Sequence, residues 1–93
     1  MTLAEASAQT VRLVYFAWVR ERVGLGDETV TPPPGTETVR DLARWLKGRG
    51  PGYEAAFANE AVIRAAIDRS HVKPDAPIAG AKEIAFFPPM TGG

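Results

Sequence analysis

The stretch Thr38-Val39-Arg40-Asp41-Leu42-Ala43-Arg44-Trp45-Leu46-Lys47-Gly48 reads as a helix with its own start and stop. Thr38 and Asp41 have the spacing of a reciprocal cap, in which each side chain satisfies a backbone amide near the other. Val39, Leu42, Ala43 and Leu46 fall at i, i+3, i+4 and i+7 and form one apolar stripe. Gly48 and Gly50 supply the stop, and Pro51 reinforces it. A helix with a single apolar stripe must bury it against another element, so the fold turns on the flanking segments.

Those segments read mostly as strands. Val11–Val19 is rich in β-branched and aromatic residues, with Val11, Leu13 and Tyr15 on one face and Arg12, Val14 and Phe16 on the other. Residues 17–23 can form a helical turn or two, which Gly24 and Gly26 break. Glu28–Thr31 reads as a short strand stopped by Pro32-Pro33-Pro34-Gly35. Beyond the helix, residues 52–59 are a loop or a short helical turn. Val62–Ile67 fits a strand or a helix end, with strand preferred, and residues 68–75 read as a turn region. Residues 77–80 form a short bridge, and Glu83-Ile84-Ala85-Phe86-Phe87 is a final strand. The order is strand, strand, one main helix, then further short strands, with the first and last strands side by side. This predicts an α+β roll of the β-grasp type over residues 11–87, its mixed sheet packed on one main helix through Leu13, Tyr15, Leu42, Leu46, Ile84 and Phe86. Residues 1–10 read as a flexible N-terminal arm and residues 88–93 as an extended tail.

Composition narrows the function. With 93 residues the chain makes one small domain with little room for a deep pocket. Lys+Arg and Asp+Glu are 11 each, so the basic excess of a general nucleic-acid binder is missing. There is no cysteine and one histidine, His71, which excludes disulfides, thiolate metal sites and multi-histidine centres. No stretch approaches the ~18 apolar residues of a membrane span, and no secretory signal is visible, so a cytoplasmic location is expected.

The tail carries the chemistry. Pro88-Pro89-Met90-Thr91-Gly92-Gly93 extends at most ~20 Å at ~3.3 Å per residue and ends in an α-carboxylate. Two glycines let it enter a narrow channel, and two prolines stiffen its base. A carboxylate becomes reactive once its oxygen is a leaving group, as adenylation by ATP makes it. A frayed end is the alternative for Gly-Gly alone; Phe86-Phe87-Pro88-Pro89 ahead of it turns the balance. On the strands, Val14, Phe16 and Phe87 face away from the helix. They form an apolar docking patch unless residues 1–10 or 50–60 cover them. Arg20 either rings that patch or is a solvated surface arginine. Asp68, Ser70 and His71 are too close in sequence for a hydrolytic triad. Trp18 and Trp45 read as core or boundary aromatics.

Phe86-Phe87-Pro88-Pro89-Met90-Thr91-Gly92-Gly93 resembles the C-terminal signature of the small subunit of molybdopterin synthase, a ubiquitin-like sulfur carrier. Val14 through Gly24, with Arg20-Glu21-x-x-Gly24, is similar to that family's first strand and following segment. Thr38-Val39-x-Asp41-Leu42, and Asp75-x-Pro77 with Gly80-x-Lys82-Glu83, resemble its helix start and last turn. The resemblance implies a sulfur-carrier cycle in which the chain binds no cofactor itself. An E1-like adenylyltransferase would spend ATP on the Gly93 carboxylate. A sulfur donor protein would convert the adenylate to a thiocarboxylate. The large synthase subunit would accept the tail, in a heterotetramer, and build the molybdopterin dithiolene. A sulfur carrier for thiamine or cysteine formation, a protein modifier joined through Gly93, and a pure interaction module are the competing readings.

Overall fold

The computed structural model describes residues 9–89. Five strands and three α-helices follow in order: β1 (Val11–Tyr15), α1 (Ala17–Val23), β2 (Asp27–Val30), α2 (Val39–Lys47), α3 (Pro51–Ala56), β3 (Arg64–Ile67), β4 (Ser70–Val72) and β5 (Glu83–Phe87). A 3₁₀ turn at Glu60–Val62 precedes β3. The strands form one mixed sheet in the order β2-β1-β5-β3-β4. β1 and β5 run parallel with Tyr15 opposite Phe86, and the other pairs are antiparallel. This is the expected β-grasp sheet, first strand beside last.

Local chemistry explains the elements. At the start of α2 the Thr38 hydroxyl accepts from the Asp41 amide at 3.1 Å, and the Asp41 carboxylate accepts from the Thr38 amide at 3.1 Å. Hydrogen bonds from the Glu37 and Thr38 amides hold the Asp41 carboxyl below its ordinary pKa. Val39, Leu42, Ala43 and Leu46 are buried, the stripe read from spacing. Alternation is equally clear in β1 and β5, where Leu13, Tyr15, Ile84 and Phe86 all enter the core. α1 ends at Gly24, whose φ of 92° is open to glycine without strain.

Two readings are filled out and two need correction. Pro51 does reinforce the end of α2, but it also opens α3, because its missing N–H is unneeded in a first turn. The 52–59 segment therefore supplies a helix, and Phe57 at its end is fully buried. There it packs edge-on against Phe86 at 5.1 Å and Tyr15 at 6.5 Å between ring centres. The strand expected from Val62 starts at Arg64, since the preceding residues form the 3₁₀ turn. The turn region at 68–75 contains the short strand β4, whose three residues are too few to show alternation. Asp68 and Arg69, both at positive φ, make the two-residue hairpin that delivers it. Asp68 Oδ1 also accepts from the amides of Lys82 and Glu83, which ties the hairpin to β5 and gives Asp68 a structural role.

The arm expected at residues 1–10 falls mostly outside the described residues. Its last two are tied down: Gln9 Nε2 donates to the Ile78 carbonyl at 2.7 Å, and Thr10 and Thr31 share a hydrogen bond. Trp18 and Trp45 sit at the core boundary, each half-buried with an arginine over its ring. Among the described residues no helix is long and apolar enough to cross a membrane.

Candidate functional site: the tail root and the open face of the sheet

The parallel pairing of β1 and β5 brings the end of β1 and the root of the tail to the same edge of the molecule. Phe16 lies one residue past Tyr15, and its amide donates to the Phe86 carbonyl at 3.1 Å. Its own carbonyl accepts from the Val19 and Arg20 amides at 3.1 and 3.3 Å. The backbone of Phe16 is thus held on both sides while the residue is 50 % exposed. Ala17 follows at φ 52°, a left-handed conformation unfavourable for alanine. A fixed backbone carrying an outward aromatic ring loses little entropy when a partner covers it.

Phe16 is joined by Val14 and Phe87, as the alternation predicts. The three line one shallow concavity on the sheet face opposite α2, with Ala66, Ala85 and His71. The His71 ring lies 5.2 Å from that of Phe87. Arg12 crosses the same face and is tied to Asp27 at 2.8 Å and Glu83 at 3.2 Å. Arg20 does not line this concavity. It lies in a separate groove with Glu21 and Leu25, its guanidinium beside Gly26. The helix α1 turns it away from the sheet face, and Arg12 and Arg69 are the cations there. Arg12 was legible as the i−2 neighbour of Val14. His71 and Arg69 were not, because their place depends on the β3–β4 register.

Pro88 and Pro89 continue half-buried from Phe87. Met90, Thr91, Gly92 and Gly93 lie outside the described residues. Among the described residues no group of histidine, aspartate and glutamate is placed to hold a metal ion.

A model of the ThiS family matches residues 13–93, from β1 through the tail. The chain belongs to the ThiS family. It is 31 % identical over 83 residues to the molybdopterin synthase sulfur carrier subunit of Escherichia coli, a match covering 89 % of this chain and 99 % of that protein. That similarity agrees with the tail signature. A Pyrococcus furiosus protein described as molybdopterin converting factor subunit 1 is 26 % identical, with TM-score 0.66, over 87 % of this chain and 98 % of that one. The Haloferax volcanii small archaeal modifier SAMP1 shares the fold at TM-score 0.71 and 24 % identity, covering 91 % of this chain and all of that one. For a ThiS-family β-grasp domain, the face of Phe16 and Phe87 together with the tail root at Pro88 and Pro89 forms the candidate site.

The ThiS-family chain also holds a polar cluster that local sequence does not reveal. Glu28 Oε2 accepts from Tyr15 Oη at 2.8 Å and Tyr53 Oη at 2.7 Å, and Oε1 accepts from Arg49 at 3.1 Å. Burial would raise the Glu28 carboxyl, but hydrogen bonds from Tyr53, Tyr15 and Arg49 outweigh it and hold the pKa below the ordinary value. Burial, with the Glu28 charge beside it, pushes the Tyr15 hydroxyl well up. Through Glu28 the cluster links α3 to β1 and β2, and β1 leads directly into Phe16.

Proposed function

We propose that this chain is the sulfur carrier subunit of a molybdopterin synthase. Its Gly93 carboxylate is adenylated at the expense of ATP by an E1-like enzyme. A sulfur donor then displaces AMP to leave a thiocarboxylate, and the tail delivers that sulfur to the large synthase subunit for dithiolene formation. The observation that carries the reading is the exposed, backbone-pinned Phe16 beside the strand that launches the tail. A partner that grips Phe16, Val14 and Phe87 has the root of Pro88–Gly93 in hand, and the reactive carbon then lies within ~20 Å along the chain. The E. coli relative's name and the Phe-Phe-Pro-Pro-x-x-Gly-Gly ending support this pathway over another sulfur carrier or a protein modifier. The chain itself supplies the acyl terminus and the docking face, and its partners supply the catalytic side chains.

The test is a reconstituted system of activating enzyme, ATP, sulfur source and large subunit, with accurate mass read at the C-terminus. The intact chain should gain sulfur and yield molybdopterin. Deleting Gly93 retracts the reacting carbon by ~3.5 Å, and ~1 Å of misplacement already costs ~100-fold in rate. A residue added after Gly93 turns the acid into an inert amide. Both variants should stay folded and inactive. Normal sulfur gain by the deleted chain would sink the proposal, and lysine conjugates without thiocarboxylate would point to the modifier reading.

A further inference from the structure

On the helix side of the sheet, between α2 and the β3–β4 end, a cleft of about 350 Å³ lies away from the Phe16–Phe87 face. Its floor is apolar, built from Val39 and Ala43 of α2, Ala65 of β3 and the Phe86 ring, all buried. Its rim is cationic. Arg40, Arg64 and Lys73 are exposed at the mouth, and none forms an ion pair among the described residues. Glu60 is the one acid in the lining, and Arg44 engages it at 3.3 Å. In a chain of zero net charge, three unpaired cations around one apolar opening are a matter of placement, not composition.

The volume is at the low end for small-molecule sites, which start near ~300 Å³. It suits one or two aliphatic side chains better than a whole cofactor. A polyanion would waste the apolar floor, and a basic segment would be repelled by the rim. Location adds a second argument. Phe86, which floors the cleft, stands two residues before Pro88, where the tail begins. A segment in the cleft therefore sits at the tail root, on the opposite side of the sheet from Phe16.

We propose that this cleft docks an acidic, aliphatic peptide segment of a partner protein. An aliphatic side chain seats on Val39, Ala43, Ala65 and Phe86, and flanking carboxylates meet Arg40, Arg64 and Lys73. Because Phe86 and Phe87 point to opposite faces, a partner on the Phe16–Phe87 face leaves the cleft open. One carrier domain can then be held from both sides of the strand that bears its tail.

The experiment titrates the ¹⁵N-labelled full chain with a synthetic peptide of leucine, isoleucine and valine flanked by aspartates. A peptide with lysines in place of the aspartates, and anilinonaphthalene sulfonate as a small amphipathic anion, are the comparisons. Amide shifts should cluster at Val39, Arg40, Ala43, Arg64 and Val72 with the acidic peptide and be absent with the basic one. Arg64→Glu with Lys73→Glu should weaken binding by about tenfold or more. Arg64→Gln with Lys73→Gln should give a smaller loss, and this milder pair tests the rim should the reversals disturb the fold. Raising salt towards ~1 M, where the Debye length falls to ~3 Å, should weaken binding further. Shifts centred on Phe16 and Phe87, equal binding of the basic peptide, binding of the sulfonate alone, or no shift at all would each overturn the proposal. None of these outcomes involves sulfur transfer, so the carrier reading stands or falls separately.

Discussion

Glu28→Ala should destabilise the domain by about 2–4 kcal/mol, although its carboxylate is a surface-type group on the outermost strand β2. The Glu28 side chain is 14 % exposed, and its carboxylate accepts three hydrogen bonds. Removing it leaves the Tyr15 hydroxyl without its partner on a side chain that is 1 % exposed, and a buried orphaned donor costs ~1–3 kcal/mol. Tyr53 and Arg49 are nearer solvent and can turn to water, so each adds ~0.5 kcal/mol or somewhat more. Glu28→Gln keeps an acceptor but loses the charge. Since charge-assisted bonds are roughly twice as strong as neutral ones, it should cost about half as much. Urea unfolding followed by Trp18 and Trp45 fluorescence measures both. In the double variant Tyr15→Phe with Glu28→Ala, the orphan disappears, so its cost should fall below the sum of the single costs. The pH dependence has a definite sign. The folded-state pKa of Glu28 lies below its ordinary 4.5, so its stabilisation is full above that value. It is lost as pH falls through the lower folded-state pKa. Glu28→Gln should remove that part of the acid limb. A Glu28→Ala variant within ~0.5 kcal/mol of the parent, the range of ordinary surface changes, would refute this stabilising role.

Three further outcomes can be checked with the same material. Leu46→Ala, at a fully buried position of α2, should cost ~2–5 kcal/mol in the same unfolding assay. Gly52→Ala would bring a Cβ to 2.5 Å from the Arg22 carbonyl oxygen; the forced separation of α3 from α1 should cost ~1–3 kcal/mol, and a neutral result would show that the two helices slide freely. Phe87→Ala should weaken binding to the proposed partner, a large synthase subunit, by about 2 kcal/mol or more as a hot-spot aromatic, measured by calorimetry, with the far-UV spectrum unchanged; loss of fold instead would make Phe87 a core residue.

The features legible in the sequence are those whose causes lie within a few residues. The α2 cap needs only Thr38 and Asp41, three positions apart, and its stripe needs only the helical period. Strand alternation placed Leu13 and Tyr15 inward and Val14 and Phe16 outward, as it did Phe86 and Phe87, because successive side chains on a pleated strand must diverge. The family signature at Phe86–Gly93 was readable for the same reason, being a run of chain neighbours, and the ThiS-family match extends through it. Tertiary structure alone decided what depends on register and on segments far apart. The burial of Phe57 against Tyr15 and Phe86 joins the end of α3 to two strands, and Arg20 was turned off the patch by the path of α1. Glu28 finds Tyr15, Tyr53 and Arg49 across 13 to 25 residues of chain, and the cleft's cations converge from α2, β3 and the segment after β4. Local propensity carries no term for such meetings. They are set by closing the sheet over its helix, where one pairing register brings each group to its partner and any other would separate them.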